Sequence, residues 1–145
     1  MKNSKNKIIL LIVIAAIICL TIGYTLHKNK KENYIETQEE RLNLYFKYNL
    51  KNYNSMHVTS FRKNPTGAYF VSGYINKNKK YHFKAQISTV DNLQFIGDLI
   101  YNPKTFGKLL KNEETGDSIN IDEIIKKEHL DKSKYEADPP AFFWF

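Results

Sequence analysis

Cysteine occurs once in this 145-residue chain, at Cys19, and nowhere after it. That excludes a disulfide scaffold and a cysteine-based zinc site from everything that follows. Glycine and proline are sparse, at six and four residues. No glycine-rich phosphate loop, dinucleotide fingerprint or G-x-S-x-G elbow is present. The four histidines, His27, His57, His82 and His129, form neither H-x-H nor H-E-x-x-H, so metal binding has no local spacing to rest on. The carboxylates sit among lysines, as solvated surfaces do, rather than as an isolated acid/base pair. These absences predict a non-enzymatic protein with no metal and no cofactor.

Acidic residues are also missing from the first 31 positions, which carry six lysines. The whole chain has a formal charge of +7, the kind of excess that suggests nucleic acid. Its location argues otherwise, because residues 32–145 carry 16 basic against 15 acidic side chains. Most of the basicity flanks a greasy segment, and no nucleic-acid partner is expected. Inside the remainder the charge is segregated. Residues 47–111 hold eleven cations against Asp91 and Asp98, whereas residues 112–138 hold four cations against nine carboxylates. Either acidic helices and a basic sheet complement each other within one fold, or the basic middle faces an anionic partner.

What is there begins with an uncharged run at residues 8–26, nineteen residues long. As a helix it spans about 28 Å, close to the ~30 Å hydrocarbon core of a bilayer. The reading is a cytoplasmic tail at 1–7, a transmembrane signal anchor at 8–26, a linker at 27–33 and an extracytoplasmic domain at 34–145. A cleaved signal with a cut after Gly23 or Thr25 is an alternative, although no A-x-A site is present. Lipidation of Cys19 is another, but Ile18 occupies the place where a lipoprotein signal carries a small residue. Lysines flank the run on both sides, so loop charge does not fix orientation. A short tail before a long domain favours a cytosolic N-terminus with the domain outside the cell membrane.

Residues 34–53, YIETQEERLNLYFKYNLKNY, contain no Pro or Gly and start acidic, which predicts a helix. Ile35, Gln38, Leu42, Tyr45 and Phe46 share its apolar face. The period then shifts to two, predicting strands at 55–63, 68–76, 81–88 and 93–101. NPTG at 64–67 has the residues of a type I turn. A two-residue connection there pairs Met56 with Ile75, Val58 with Gly73 and Phe61 with Phe70. A three-residue loop at 77–79 pairs Gly73 with Phe83 and Val71 with Ala85, keeping one apolar face across three strands. Asn78 or Lys79 would then be left-handed. Gly73, Ala85 and Gly97 form a low strip where the helix can come close. Residues 120–130 read as a second helix capped by Asn120 or Asp122, with Ile121, Ile124, Ile125 and His129 on one side. The expected fold class is α+β: a transmembrane helix, one helix packed on a four-stranded antiparallel meander, and a C-terminal helix.

Helix followed by meander is similar in element order to the cystatin-like arrangement, in which a sheet wraps a helix. The anchor, the VSGYINKNKKYHFKAQI hairpin and the Lys/Asn-rich composition also resemble an uncharacterised family of small cell-surface proteins of low-GC Gram-positive bacteria, often lipoproteins. The likeness covers mainly residues 34–101. That family implies no activity, so no functional residue is carried over from it.

Two surfaces are candidates for function. Lys77, Lys79, Lys80 and Lys84 could contact an anionic partner, such as lipid head groups, an anionic wall polymer or an acidic protein. Phe142, Phe143, Trp144 and Phe145 could dock a partner or a membrane interface. The expected function is a membrane-anchored extracytoplasmic binding domain. The alternative is an inhibitor or immunity protein that neutralises a toxin or protease at the membrane.

Overall fold

A computed structural model describes residues 2–112 and 117–141, with side chains from Ser4 onward. One helix, α1 (Lys2–Asn49), runs 48 residues without a break. The seven residues expected to link anchor and domain continue it, as a segment without Pro or Gly allows. Through residues 8–26 its side chains are exposed on all sides, so nothing in the fold covers that apolar surface. It is the one described helix long and apolar enough to cross a membrane.

The lower part of the same helix buries one stripe: Tyr34, Thr37, Gln38, Arg41, Leu42, Tyr45, Phe46 and Asn49. These positions recur at three- and four-residue intervals, the period of one helical face. Against it lies a four-stranded antiparallel sheet in sequential order: β1 (Met56–Lys63), β2 (Tyr69–Ile75), β3 (His82–Ile87) and β4 (Leu99–Tyr101). Alternate residues of β2 and β3, namely Tyr69, Val71, Gly73, Ile75, Phe83, Ala85 and Ile87, face α1 and are buried. Phe46 sits at the centre of the aromatic packing, with the rings of Phe83, Tyr53 and Phe106 at 4.9, 5.8 and 5.9 Å. Each such side chain contributes roughly 1.5–3 kcal/mol by leaving water.

The β2/β3 register follows the three-residue expectation, with Gly73 opposite Phe83 and Val71 opposite Ala85. The left-handed residues differ: they are Asn76 and Lys77, not Asn78 or Lys79. Asn78 N–H closes the turn on the Ile75 carbonyl at 3.0 Å, which places the two central residues in that region. Its side chain then caps the 3-10 turn Lys79–Tyr81.

The β1/β2 register is correct only to Val58. An extra residue, Thr59, bulges out of β1, so Phe61 pairs with Val71 rather than Phe70. Phe61 thereby moves to the inner face, where its ring lies 6.0 Å from Tyr34 and 5.8 Å from Tyr69. The matching irregularity is the hairpin loop. Gly67 N–H bonds Asn64 O as the type I turn requires, but Gly67 itself has φ +94° and Asn64 N–H returns to Ala68 O.

The fourth strand is three residues rather than nine. Residues 92–97 leave the ladder because Asn92, Leu93 and Gly97 take positive φ and the helix claims their backbone groups instead. The low strip also works differently from the expectation. A side chain at Gly73 would strike His57 O and the Phe83 ring, and one at Gly97 would strike the Tyr45 ring, so side-chain rings rather than the helix backbone fill that space.

The short helix α2 (Ile121–Lys127) is capped by Asn120, whose side chain accepts from Glu123 N–H. Ile121, Ile124 and Ile125 are buried as expected. His129 is exposed beyond its end, at φ +53°.

Candidate functional site

The polar members of the buried stripe do not face a cavity; they hold irregular chain. Arg41 is fully buried. Its Nε donates to Phe95 O at 2.7 Å, Nη1 to Tyr135 O at 2.9 Å and Nη2 to the Asp122 carboxylate at 2.7 Å. Gln38 donates to Gln94 Oε1 and accepts from Phe95 N–H, and Tyr34 donates to Leu93 O. Asn49 grips Ile119 through both its N–H and its C=O, and Tyr45 donates to Ser118 Oγ. Burial pushes the phenols of Tyr34 and Tyr45 upward, the latter against the opposing pull of its Ser118 bond. Every one of these groups is spent on structure. Among the described residues no buried side-chain polar atom lacks a partner.

Beside Arg41 a cleft of about 400 Å³ is lined by Asp91, Asn92, Gln94, Asp122, Lys132, Glu136, Ala137 and Asp138. Lys132 pairs with Glu136 at 3.1 Å and Arg41 holds Asp122 at 2.7 Å. No group of three metal-ligating side chains occurs among the described residues. Glu39 has a carboxyl raised above its ordinary range, first by burial and then by neighbouring Glu36. The shallow hollow around it offers only Glu36, Glu40, Asn43 and Met56.

The basic candidates lie elsewhere. Lys77 tops the left-handed turn, Lys79 and Lys80 sit in the following 3-10 turn, and Lys84 projects from the outer face of β3; all four are exposed. The turn is held firmly. Asn76 Oδ1 accepts from Asn54 N–H and its Nδ2 donates to Asn52 O, tying the tip to the loop before β1. Lys104 lies in the turn that follows β4 at the same end, because Tyr101 pairs with Phe83 and the N–H groups of Thr105 and Gly107 then fold back on Asn102 O. Lys104 was not among the sequence candidates; only the β3/β4 pairing reveals it.

The outer face of the sheet carries three cross-strand rows: Arg62, Phe70, Gln86; Ser60, Ser72, Lys84, Ile100; and His57, Tyr74, His82. Lys84 Nζ lies 3.9 Å from the Phe70 ring centre, so its stem partly covers that ring. Tyr74 separates the two histidines, and its ring lies tilted against His57 with centres 4.8 Å apart. The ion pairs described within the domain, Arg41–Asp122 and Lys132–Glu136, use none of the sheet cations. Arg62, Lys63, Lys77, Lys79, Lys80, Lys84, Lys104 and Lys108 have no carboxylate partner among the described residues. The aromatic C-terminal candidates, Phe142, Phe143, Trp144 and Phe145, lie outside the described residues.

Comparison with known proteins yields a family and a fold. The model of a family described as "Protein of unknown function (DUF1433)" matches residues 34–127. The solution NMR structure of a folded 79-residue fragment of Lin0334 from Listeria innocua is similar at 23% identity, with a TM-score of 0.53. That similarity covers 68% of this chain and 98% of the fragment. No curated protein matches.

Proposed function

We propose, for a chain that belongs to the DUF1433 family of unknown function, a binding role rather than a catalytic one. The protein is a single-pass membrane protein with a cytosolic N-terminus. Its cell-surface domain, a helix wrapped by a sheet in the cystatin-like manner, holds an anionic partner through Lys77, Lys79, Lys80 and Lys84. One observation carries this reading. Among the described residues no ion pair joins a carboxylate to these lysines, and Asp122 is engaged by Arg41 and Glu136 by Lys132 instead. Like charges gathered without internal compensation destabilise the fold slightly, and they favour any polyanion that displaces their counterions.

The test uses the full chain in nanodiscs and polyphosphate as a probe. Four lysine contacts to a flexible polyanion give a log–log salt slope of about −3. Changing Lys77, Lys79, Lys80 and Lys84 together to Glu is expected to abolish binding. Binding with an unchanged salt slope would discard the basic surface. Orientation is read separately, by labelling single cysteines at Lys79 and Asn3 on intact cells with an impermeant reagent in a Cys19→Ala background.

A further inference from the structure

We infer that the lysine surface faces away from the bilayer that holds α1, and that its partner is a free anionic polymer rather than the head groups beside the anchor. This rests on the binding role proposed above and narrows its partner.

The helix serves as a ruler, because α1 does not break between anchor and domain. Leu26 ends the uncharged run. Tyr34 lies eight residues on, about 12 Å along the axis. It touches Leu93 O at 2.7 Å and the rings of Tyr69 and Phe61 at 5.5 and 6.0 Å. Phe46 lies twenty residues on, about 30 Å along the axis. It touches Phe83, whose strand partner is Gly73. Strand β2 therefore rises with the helix, from Tyr69 near the bilayer to Ile75 far from it. The turn bearing Lys77, Lys79 and Lys80 lies beyond Gly73, and the turn bearing Lys104 follows Tyr101 at the same end of the sheet. An average helix tilt of about 20° shortens this height by only a few per cent.

The opposite end of the sheet comes down to the membrane. The loops at 64–68 and 88–92 extend below Tyr69 and Ile87, and Gly67 packs against Thr89. His27 and Lys31 on the stem are half-buried, although residues 28–30 between them are exposed. Val90, 84% exposed, stands in the second of these loops. Apart from the anchor, only Ile100 joins it as an exposed large apolar side chain among the described residues. An apolar tip at head-group level makes a foot for the domain. Asp91 and Asp138 lie toward that end and oppose tipping onto anionic lipid. Exposed Lys28 and Lys30 already serve the head groups. The lysine turn stands about 30 Å above Leu26, so beyond a head-group layer of about 5–7 Å it is still about three Debye lengths (about 8 Å each at physiological salt) away.

The partner's class follows from the side chains. The distal cations are all lysines on exposed stems, with no Arg fork among them. Such point charges read charge density rather than a fixed shape, which suits a flexible polyanion more than a shaped protein epitope.

The experiment again uses the full chain in nanodiscs, in the Cys19→Ala background. A donor dye is placed at Thr66→Cys or Lys79→Cys, with acceptors on the lipid head groups. Severalfold stronger quenching at 66 than at 79, unchanged by anionic lipid, is the expected result. Equal quenching at both sites overturns the posture, even if polyphosphate binding remains intact and the binding role stands. Loss of polyphosphate binding to the lysine-to-glutamate variant, with wild-type binding indifferent to anionic lipid, supports the polymer. Retention of polyglutamate but not polyphosphate overturns it in favour of an acidic protein. If polyphosphate never binds while the quenching difference holds, the binding role fails and the posture survives.

Discussion

The two halves of α1 differ in what they bury and in what they leave exposed. Residues 8–26 are apolar on every side and exposed on every side, with no charge over nineteen positions. Residues 34–49 bury a single stripe, and that stripe is half polar: Thr37, Gln38, Arg41 and Asn49 among Tyr34, Leu42, Tyr45 and Phe46. In hydrocarbon a helix satisfies its own backbone and asks nothing of its side chains. In a small domain the same geometry can carry donors and acceptors inward, provided each finds a partner. The lower half does so by gripping loop backbone at residues 93, 95, 119 and 135. The sheet is only three residues long at β4, so these bonds replace the ladder bonds that a longer strand would have supplied.

The sharpest way to break the contrast is Arg41→Ala. It removes three hydrogen bonds and leaves the Phe95 and Tyr135 carbonyls facing a hole. The expected loss is about 3–5 kcal/mol, the range for breaking a buried charged network. Urea titration of the full chain in detergent, followed by circular dichroism, measures it. Asp122→Asn, at a carboxylate whose side chain is 54% exposed, should cost far less. If the two variants unfold alike, the ion pair rather than the grip on the loops is what stabilises the domain.

The reverse test puts a charge where the upper half has none. Ile14→Lys should reduce membrane insertion by about 2.5–3.5 kcal/mol, the cost of a cation at a helix centre. Carbonate extraction of membranes reads the partition. The domain should fold unchanged, because no described residue of the body covers position 14. An unaltered membrane fraction would mean that residues 8–26 do not span.

Much of this arrangement was legible in the sequence, and its gaps have physical causes. The β2/β3 register followed from one requirement, an unbroken apolar face, and that sufficed because both strands are regular. The same requirement failed at β1 because the Thr59 bulge is a choice of backbone with no residue type that demands it. Once it shifts the register, Phe61 changes faces. Arg41 was not among the residues of the expected inner face, because burying a guanidinium is costly unless partners exist, and its partners lie 54, 81 and 94 residues away. The spacing 34, 38, 41, 45, 49 did hold the signal, as a second polar stripe beside the apolar one. The basic surface was visible in composition alone. The height we infer for it was not, because that rests on the stem being helical where Lys and Asn suggested a linker.

A smaller effect sharpens the contrast in pH. Tyr53 donates to Asn43 Oδ1 at 2.6 Å, and burial pushes its phenol up to about 12. A group held protonated by the fold stabilises it fully below its unfolded value near 10. That contribution is lost as pH rises from there toward the folded value, because the unfolded chain then binds fewer protons. Each such phenol can steepen alkaline unfolding by up to ~1.4 kcal/mol per pH unit, and solvent screening at a half-buried group reduces this. Tyr53→Phe should therefore cost about 1 kcal/mol at neutral pH for the lost hydrogen bond, yet show a shallower decline above pH 10. Paired urea titrations at neutral and alkaline pH read both numbers. Parallel declines in variant and wild type would assign the alkaline sensitivity to the other buried phenols, Tyr34, Tyr45 and Tyr69, whose values are also raised first by burial. All four tyrosines belong to the domain and none to the apolar run, so the alkaline sensitivity expected of these phenols belongs to the half of the molecule that buries polar groups.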